Sequence, residues 1–292
     1  MVRRSGGVLV LALLAGSVGQ ADEIILPTFA WQLSGEAGNV WSSEVYVTNA
    51  GSIPVRVDLA WPIMGRVKEP KMCLIPPPWG INVAPRSSVV FPTRLIYHLI
   101  SCPDEFVGGL VFSTNGAVTI SSRLVNHGAQ PHGPDDGLLA GVGQEIPGIS
   151  IRDVPRGAGP HTLPALTWHA NSCGTPAFET YLQLVNPGAE AVRLTLARNA
   201  DRTPASLEID GTVEETPVTI TLPPYSWQQL RIAPAPNDSP VCLEPELFDL
   251  FLFSPSGPAV VYASVVDRTS QDARTVLPVV VRSATRVLRA AP

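Results

Sequence analysis

Apolar and polar residues alternate in short segments along most of this chain. One run contains Val45 and Val47, and a second continues from Val55 through Val57 to Leu59 after a polar stretch. A period of two predicts half-buried β-strands. Because the intervening letters NAGSI supply Asn and Gly, which tight turns favour, the two runs predict a β-hairpin. Further strands are predicted at 88–91, 107–113, 118–125, 218–222, 227–232, 247–253 and 260–266.

The pattern occurs twice. When Leu26 is laid on Leu163, the segment EVYVTNAGSIPVRVDLAW from Glu44 falls without a gap on YLQLVNPGAEAVRLTLAR from Tyr181. The second copy therefore predicts a second hairpin. Internal self-similarity of this kind is typical of a duplicated unit. Two small shifts in offset align INVAPRSS from Ile81 with ITLPPYSW from Ile220, and ISSRLVN from Ile120 with VYASVVD from Val261.

The repeat divides the chain. It predicts module 1 at 22–149, a linker at 150–162 rich in Pro, Gly and charge, module 2 at 163–282, and a C-terminal tail at 283–292. No segment has a helical stripe, and strands follow one another at spacings near ten residues with turn signals between them. The predicted fold is all-β, with two tandem antiparallel β-sandwich domains of immunoglobulin-like architecture. The composition of the linker predicts motion between the domains.

The N-terminus has the pattern of a secretory signal peptide. Arg3 and Arg4 precede the uncharged apolar run 6–18, and small residues follow at Gly19 and Ala21. This predicts a signal peptide at 1–21, cleaved after Ala21, and export to the periplasm or the extracellular space. The apolar run is shorter than the roughly 20 residues that span a bilayer, so no membrane span is expected after cleavage.

Composition narrows the classes of partner. The net charge is −5 with 15% charged residues and no basic stripe, so neither nucleic acid nor anionic lipid is an expected partner. The 30 Pro and 24 Gly residues suit a disordered chain, but a hydrophobic content of 45% opposes disorder. Short strands separated by turns fit both observations.

Four cysteines, two in each module, predict two disulfides in an oxidising compartment. The predicted pairs are Cys73 with Cys102 and Cys173 with Cys242. Closing the first loop stabilises the fold by roughly 3 to 4 kcal/mol through loop-closure entropy. A zinc site is the competing interpretation, but the chain has no CxxC spacing.

Catalytic and metal-binding motifs are missing from the sequence. There is no GxSxG, no HExxH and no Gly-rich phosphate loop. The segment 126–137 holds His127, His132, Asp135 and Asp136, yet its Gly and Pro residues impose no ligand geometry. Carboxylates such as Glu44 and Glu179 have no predicted partner for glycoside chemistry. We therefore expect no enzyme activity, no metal and no cofactor.

Two residues are candidates for a surface contact. Of the six tryptophans, Trp31 and Trp168 recur at one module position, which indicates packing, whereas Trp79 lies in a Pro-rich loop and is a candidate contact for a sugar or a protein. Arg123 stands in mid-strand where the second copy has Ser264. Its other interpretation is an outward-facing residue paired with a neighbouring carboxylate.

These motifs together resemble a class of β-sandwich repeats in secreted bacterial proteins. Modules of that class close with a Gly-Gln-x-Ile-Pro segment, which GQEIP from Gly143 reproduces, while the second copy keeps only Leu277 and Pro278 of it. The second copy also lacks the Arg of ISSRLVN. The resemblance covers nearly the whole mature chain. It implies immunoglobulin-like modules in the envelope or outside the cell, and it implies no catalytic residues.

The leading hypothesis is a non-enzymatic, exported structural or interaction protein of adhesion-like kind, with an unknown protein or glycan as partner. One alternative is a carbohydrate-binding or carbohydrate-active accessory protein, which the tryptophans suggest. Another is a chaperone-like periplasmic protein of the two-domain pilus kind. Such chaperones anchor a subunit carboxylate with basic cleft residues, and no matching basic pair is found in this sequence.

Overall fold

The computed structural model describes residues 22–34, 39–69, 79–126, 143–154, 157–168, 178–198, 206–234, 246–254, 256–267 and 273–280. Within these ranges the chain consists of β-strands and one short helix, which confirms the all-β prediction. No helix in these ranges has the length and apolar character needed to span a bilayer. The predicted signal peptide at 1–21 and the tail at 283–292 lie outside the described residues.

The described residues of the N-terminal half, 22–154, form ten strands and the helix. They are β1 (Asp22–Trp31), β2 (Leu33–Ser34), β3 (Val40–Asn49), β4 (Val55–Lys68), β5 (Gly80–Val83), β6 (Ser87–Phe91), α1 (Thr93–Leu99), β7 (Glu105–Thr114), β8 (Thr119–Asn126), β9 (Gly143–Pro147) and β10 (Ile149–Ser150). The helix contradicts the expectation of no helix. It has only seven residues, and Ile96 is the one residue among them that is buried. The segment therefore has no apolar periodicity from which a helix could be predicted.

In the C-terminal half, 157–280, eleven strands are formed by the residues that the structure describes. They are β11 (Gly157–Trp168), β12 (Phe178–Asn186), β13 (Val192–Arg198), β14 (Ser206–Ile209), β15 (Thr212–Glu215), β16 (Val218–Leu222), β17 (Ser226–Pro234), β18 (Glu246–Ser254), β19 (Val260–Asp267), β20 (Ala273–Val276) and β21 (Val279–Val280). Strand β11 begins inside the segment that was predicted as a linker. Its pairing with β18 and β21 makes 157–162 part of a sheet.

Both halves pair their strands in one order. In the N-terminal half one sheet runs β10-β1-β7-β4-β5 and the other β6-β3-β8-β9, with β2 also on β3. In the C-terminal half the corresponding orders are β21-β11-β18-β13-β16 and β17-β12-β19-β20. The registers also correspond: Val47 pairs with Ile120 and Leu184 with Val261, while Asn49 pairs with Ser87 and Asn186 with Ser226.

The two predicted hairpins are wrong. Strands β3 and β4 do not pair with each other, and neither do β12 and β13, because each pair is divided between two sheets. Asn49 forms the turn that carries the chain across. Its Nδ2 donates to the carbonyls of Ile53 at 2.7 Å, Val83 at 3.2 Å and Ala84 at 3.2 Å, and its Oδ1 accepts from the amide of Gly51 at 2.9 Å.

Asn186 makes the same network in the C-terminal half. Its Nδ2 donates to the carbonyls of Glu190 at 2.8 Å, Leu222 at 3.2 Å and Pro223 at 2.8 Å, and its Oδ1 accepts from Gly188 N at 3.0 Å. Both asparagine side chains are completely buried. The asparagines that suggested a hairpin turn therefore tie one sheet to the other.

Among the described residues the buried apolar side chains form three clusters. Two of them each lie within one half, between its two sheets: one extends from Ile24 to Ile120 and the other from Leu163 to Val265. The third joins the halves, and its buried members are Ile25, Ile63, Val111, Val154, Val185 and Val260. Each half thus has a core of its own and shares a smaller one with the other.

The sheets of the two halves also meet at an edge. Strand β17 pairs in parallel with β4 at Ser226 and Met64, which links one sheet of each half into an 11-stranded sheet. The segment that connects the halves, residues 150–157, also contributes to the contact. Its Val154 is only 2% exposed and belongs to the cluster that joins the halves. The linker composition predicted interdomain motion, but this packing favours a fixed orientation of the halves.

Candidate interaction surfaces

Thr28 of β1 is the polar centre of the contact between the halves. Its Oγ1 accepts hydrogen bonds from the hydroxyl of Tyr262 and, at 3.2 Å, from Nε1 of Trp227. The Thr28 hydroxyl in turn donates to the carbonyl of Pro27 at 2.9 Å. Tyr262 is completely buried and Thr28 is 4% exposed. The side-chain polar atoms of Thr28, Tyr262 and Trp227 all have partners, which avoids the cost of unsatisfied buried groups at these three residues. Nε1 of Trp61, which packs against the apolar cluster that joins the halves, is buried without a hydrogen-bond partner.

Gln144 forms a second polar contact between the halves. Its Nε2 donates to Ser264 Oγ at 2.9 Å and to Thr275 Oγ1 at 2.7 Å, and its Oε1 accepts from Ser264 Oγ at 3.1 Å. Thr275 Oγ1 also donates to the carbonyl of Glu145 at 2.7 Å. The Gly-Gln-x-Ile-Pro segment, which sequence reasoning treated as the end of a module, thus places a 4% exposed amide against the next half.

Trp227 packs where the facing strand has no side chain. A Cβ on Gly65 of β4 would lie 2.7 Å from Cε3 of Trp227 and 2.3 Å from the carbonyl oxygen of Val107. Real Cβ atoms do not approach other heavy atoms so closely. Glycine at position 65 therefore lets the indole ring lie directly against the N-terminal half.

We expect the contribution of Tyr262 to the stability of the folded chain to fall at alkaline pH. Burial raises the pKa of its hydroxyl well above the usual value near 10, although the hydrogen bond to Thr28 acts in the opposite direction. Above pH ~10 the unfolded chain loses this proton while the folded chain keeps it, so the contribution of Tyr262 falls by up to about 1.4 kcal/mol per pH unit. Urea unfolding at pH 8 to 11 should show the advantage of the wild type over Tyr262→Phe shrinking above pH ~10. Parallel curves for the two proteins would contradict this.

Arg123 lies on the outer face of the other N-terminal sheet, in strand β8. It is cross-strand from Glu44 on one side and Glu145 on the other. Glu44 is 4% exposed and accepts a 2.7 Å hydrogen bond from the Tyr46 hydroxyl. Burial and Glu44 raise the pKa of Tyr46, whereas Arg123 acts to lower it. Arg123 therefore belongs to a cluster with Glu44 and Tyr46, while both of its interpretations, a surface contact and a pairing with a neighbouring carboxylate, stay predictions.

A similar cluster occurs in the C-terminal half. Tyr181 donates to Glu179 Oε2 at 2.6 Å, and Nε of Arg231 lies 3.4 Å from Glu179 Oε1. The Glu-x-Tyr pairs of the two halves are two residues out of register, because Glu44 aligns with Tyr181. Sequence reasoning missed these clusters, although the spacing Glu-x-Tyr on a strand places both side chains on one face.

The remaining sequence-predicted residues lie away from the contact. Trp79 is partly buried against the N-terminal core, and its carbonyl accepts from the amide of Leu59 at 2.8 Å. Cys102 follows helix α1, is 1% exposed, and has its Sγ 3.3 Å from Nδ1 of His98. The part of the chain that the structure describes holds no free cysteine. Cys73, Cys173 and Cys242 lie outside the described residues.

The described residues include no group of three or more His, Cys, Asp or Glu side chains that could hold a metal ion. The segment with His127 and Asp135 lies outside them. Comparison with protein-family models, with curated proteins and with solved structures finds no match for this chain. The functional conclusion therefore rests on the geometry alone.

Proposed function

We propose that this chain is a non-enzymatic, exported structural or interaction protein. Its two halves act as tandem β-sandwich modules of immunoglobulin-like architecture held in one fixed orientation. One observation carries the proposal: Thr28, Tyr262 and Trp227 form a fully hydrogen-bonded contact beside a shared apolar cluster. Such a contact suits a protein that presents surfaces at a constant spacing, because it resists hinge motion between modules.

The outer face of β3, β6 and β8 is the surface we propose for a partner. It carries Tyr46, Thr48, Ser88 and Arg123, and Thr48 and Ser88 are joined by a 2.8 Å hydrogen bond between exposed hydroxyls. The corresponding face of the C-terminal half is the one that docks on the N-terminal half. One copy of the duplicated unit therefore uses this face for a contact with protein. This supports a contact with protein at the same face of the other copy.

The test for a partner uses the mature chain. The immobilised chain is incubated with proteins from the periplasm and the extracellular medium, and the chain in solution is applied to a glycan array. We expect a specific protein to be captured, and capture to fall at least tenfold when Ser88→Arg places a long cation on the proposed face. Thr219→Arg, an exposed strand position in the other half, is the matched control and should capture normally. Glycan binding alone would favour the carbohydrate-binding alternative. If neither a protein nor a glycan binds, the proposal of an interaction protein is wrong.

Export and disulfides belong to the same proposal. The signal peptide at 1–21 would direct the chain to the periplasm or beyond, where Cys73 would pair with Cys102 and Cys173 with Cys242. The buried position of Cys102 after helix α1 supports a structural role for its sulfur. Mass spectrometry of the unreduced, exported protein should show an N-terminus at Asp22 and both linked peptide pairs.

A further inference from the structure

We infer that the C-terminal half carries a docking face shaped for the N-terminal half, so that the two stay bound as a non-covalent complex when the connection between them is cut. The inference rests on the proposed division into two modules. It concerns one surface of each half: the outer face of β12, β17 and β19, and the outer face of β1, β4 and β7 with the edge at β9.

Comparison of the two copies shows which positions are specialised for docking. The aligned positions lie on the same strands in the same register and face outward in both halves. At four of them the N-terminal residue is polar and the C-terminal residue is apolar or aromatic: Thr48 and Val185, Ser88 and Trp227, Thr119 and Val260, and Ser121 and Tyr262. At two others on the same face the difference is reversed, with Tyr46 aligned with Gln183 and Val90 aligned with Gln229.

Burial agrees with this difference in polarity. Val185, Val260 and Tyr262 are at most 1% exposed, whereas Ser88 and Thr119 are exposed. An outward strand face needs apolar residues only when another surface covers it. The N-terminal half supplies that surface through Ile25, Ile63 and Val111, which belong to the same cluster.

Shape and polarity limit what can dock. Trp227 needs a partner strand that has no side chain at the position of Gly65. Tyr262 and Trp227 together need one acceptor placed as Thr28 Oγ1 is placed, and Ser264 needs an amide such as that of Gln144. Buried polar groups that lose their partner cost free energy, so this arrangement rejects surfaces that lack these groups. The matching partner is therefore the N-terminal half.

Among the described residues, the connection supplies one of the six buried members of the shared cluster, Val154, and the strands supply the other five. Within the described part of 150–157, Val154 and Ile151 are its apolar contributions, and every hydrogen bond named above comes from strands outside it. A cut in the connection therefore leaves the docking groups in place. An exported chain built in this way would survive proteolysis of its connection as a single particle.

The test inserts a specific protease site between Val154 and Gly157 of the full chain, cuts the folded protein, and measures association of the halves by gel filtration and titration. We expect the halves to elute together at micromolar concentration. Tyr262→Ser, which copies Ser121 of the other half, should raise the Kd at least 100-fold. Gln144→Ala is a milder second variant in case Tyr262→Ser fails to fold. Ser121→Ala, away from the contact, is the control and should leave the Kd unchanged.

Two results would overturn the inference and have different meanings. If the cut halves separate and each still melts cooperatively, the docking face is wrong while the division into modules stands. If cutting unfolds both halves, the division itself is wrong and the proposed function loses its basis. An unchanged Kd for both Tyr262→Ser and Gln144→Ala also counts against the assigned surface.

Discussion

Replacing Asn49 or Asn186 by alanine is expected to lower the free energy of unfolding by about 2 to 4 kcal/mol at each position. Each side chain is completely buried and donates to three backbone carbonyls while accepting from a glycine amide. Alanine would leave these groups without partners in a place that water does not reach. Urea unfolding of the two single variants would measure the loss.

The two asparagines serve as checks on each other. Because both make the same set of bonds, we expect similar losses in the two halves and a larger loss for Asn→Asp, which would place a carboxylate against carbonyl oxygens. Asn82→Ala, at an exposed position of β5, is the control and should change stability by less than about 0.5 kcal/mol. A negligible effect at either buried asparagine would show that its turn does not tie the sheets together.

Replacing Tyr262 by serine is expected to destabilise the chain by about 3 to 5 kcal/mol. The substitution removes the largest fully buried side chain at the contact between the halves together with one of the two donors to Thr28. Serine is the residue that the N-terminal half has at this position, so the backbone of the repeat tolerates it. Thermal unfolding should then show a lower melting temperature for the C-terminal half, because its docking face has lost contacts with the N-terminal half.

The counterpart substitution provides the matched control. Ser121→Ala alters the same strand position in the copy that does not dock, and we expect a change within about 0.5 kcal/mol. Trp227→Ser should act in the same direction as Tyr262→Ser but less strongly, because Trp227 is only partly buried. Equal and small effects at all three positions would show that the contact contributes little to stability.

Much of the strand content could be predicted from local alternation. The runs at Val45 and Val55 became β3 and β4, and the aligned copy became β12 and β13. The pairing could not be predicted in the same way. Asn-x-Gly between two strands suits a hairpin and also suits a crossing between sheets, and only the carbonyls of residues distant in sequence, such as Val83 and Leu222, decide which one forms.

The contact between the halves could be predicted in part from the sequence. Trp227 and Tyr262 stood in the alignment opposite Ser88 and Ser121, and a change from small polar to large aromatic residues on one strand face is a sign of a covered surface. A tryptophan without a counterpart in the other copy also suits a ligand contact, which is how Trp79 was interpreted. Trp79 packs against the core of its own half.

By itself the sequence determined that this protein is built from strands and that one pattern occurs twice, since alternation and self-similarity are properties of neighbouring residues along the chain. Only the tertiary structure decided which strands pair, that the consecutive strands β3 and β4 belong to different sheets, and which outer face is buried. Those outcomes depend on groups far apart in sequence, such as Thr28 with Tyr262 and Gly65 with Trp227. The free energy of such contacts exists only after folding has brought the two surfaces together.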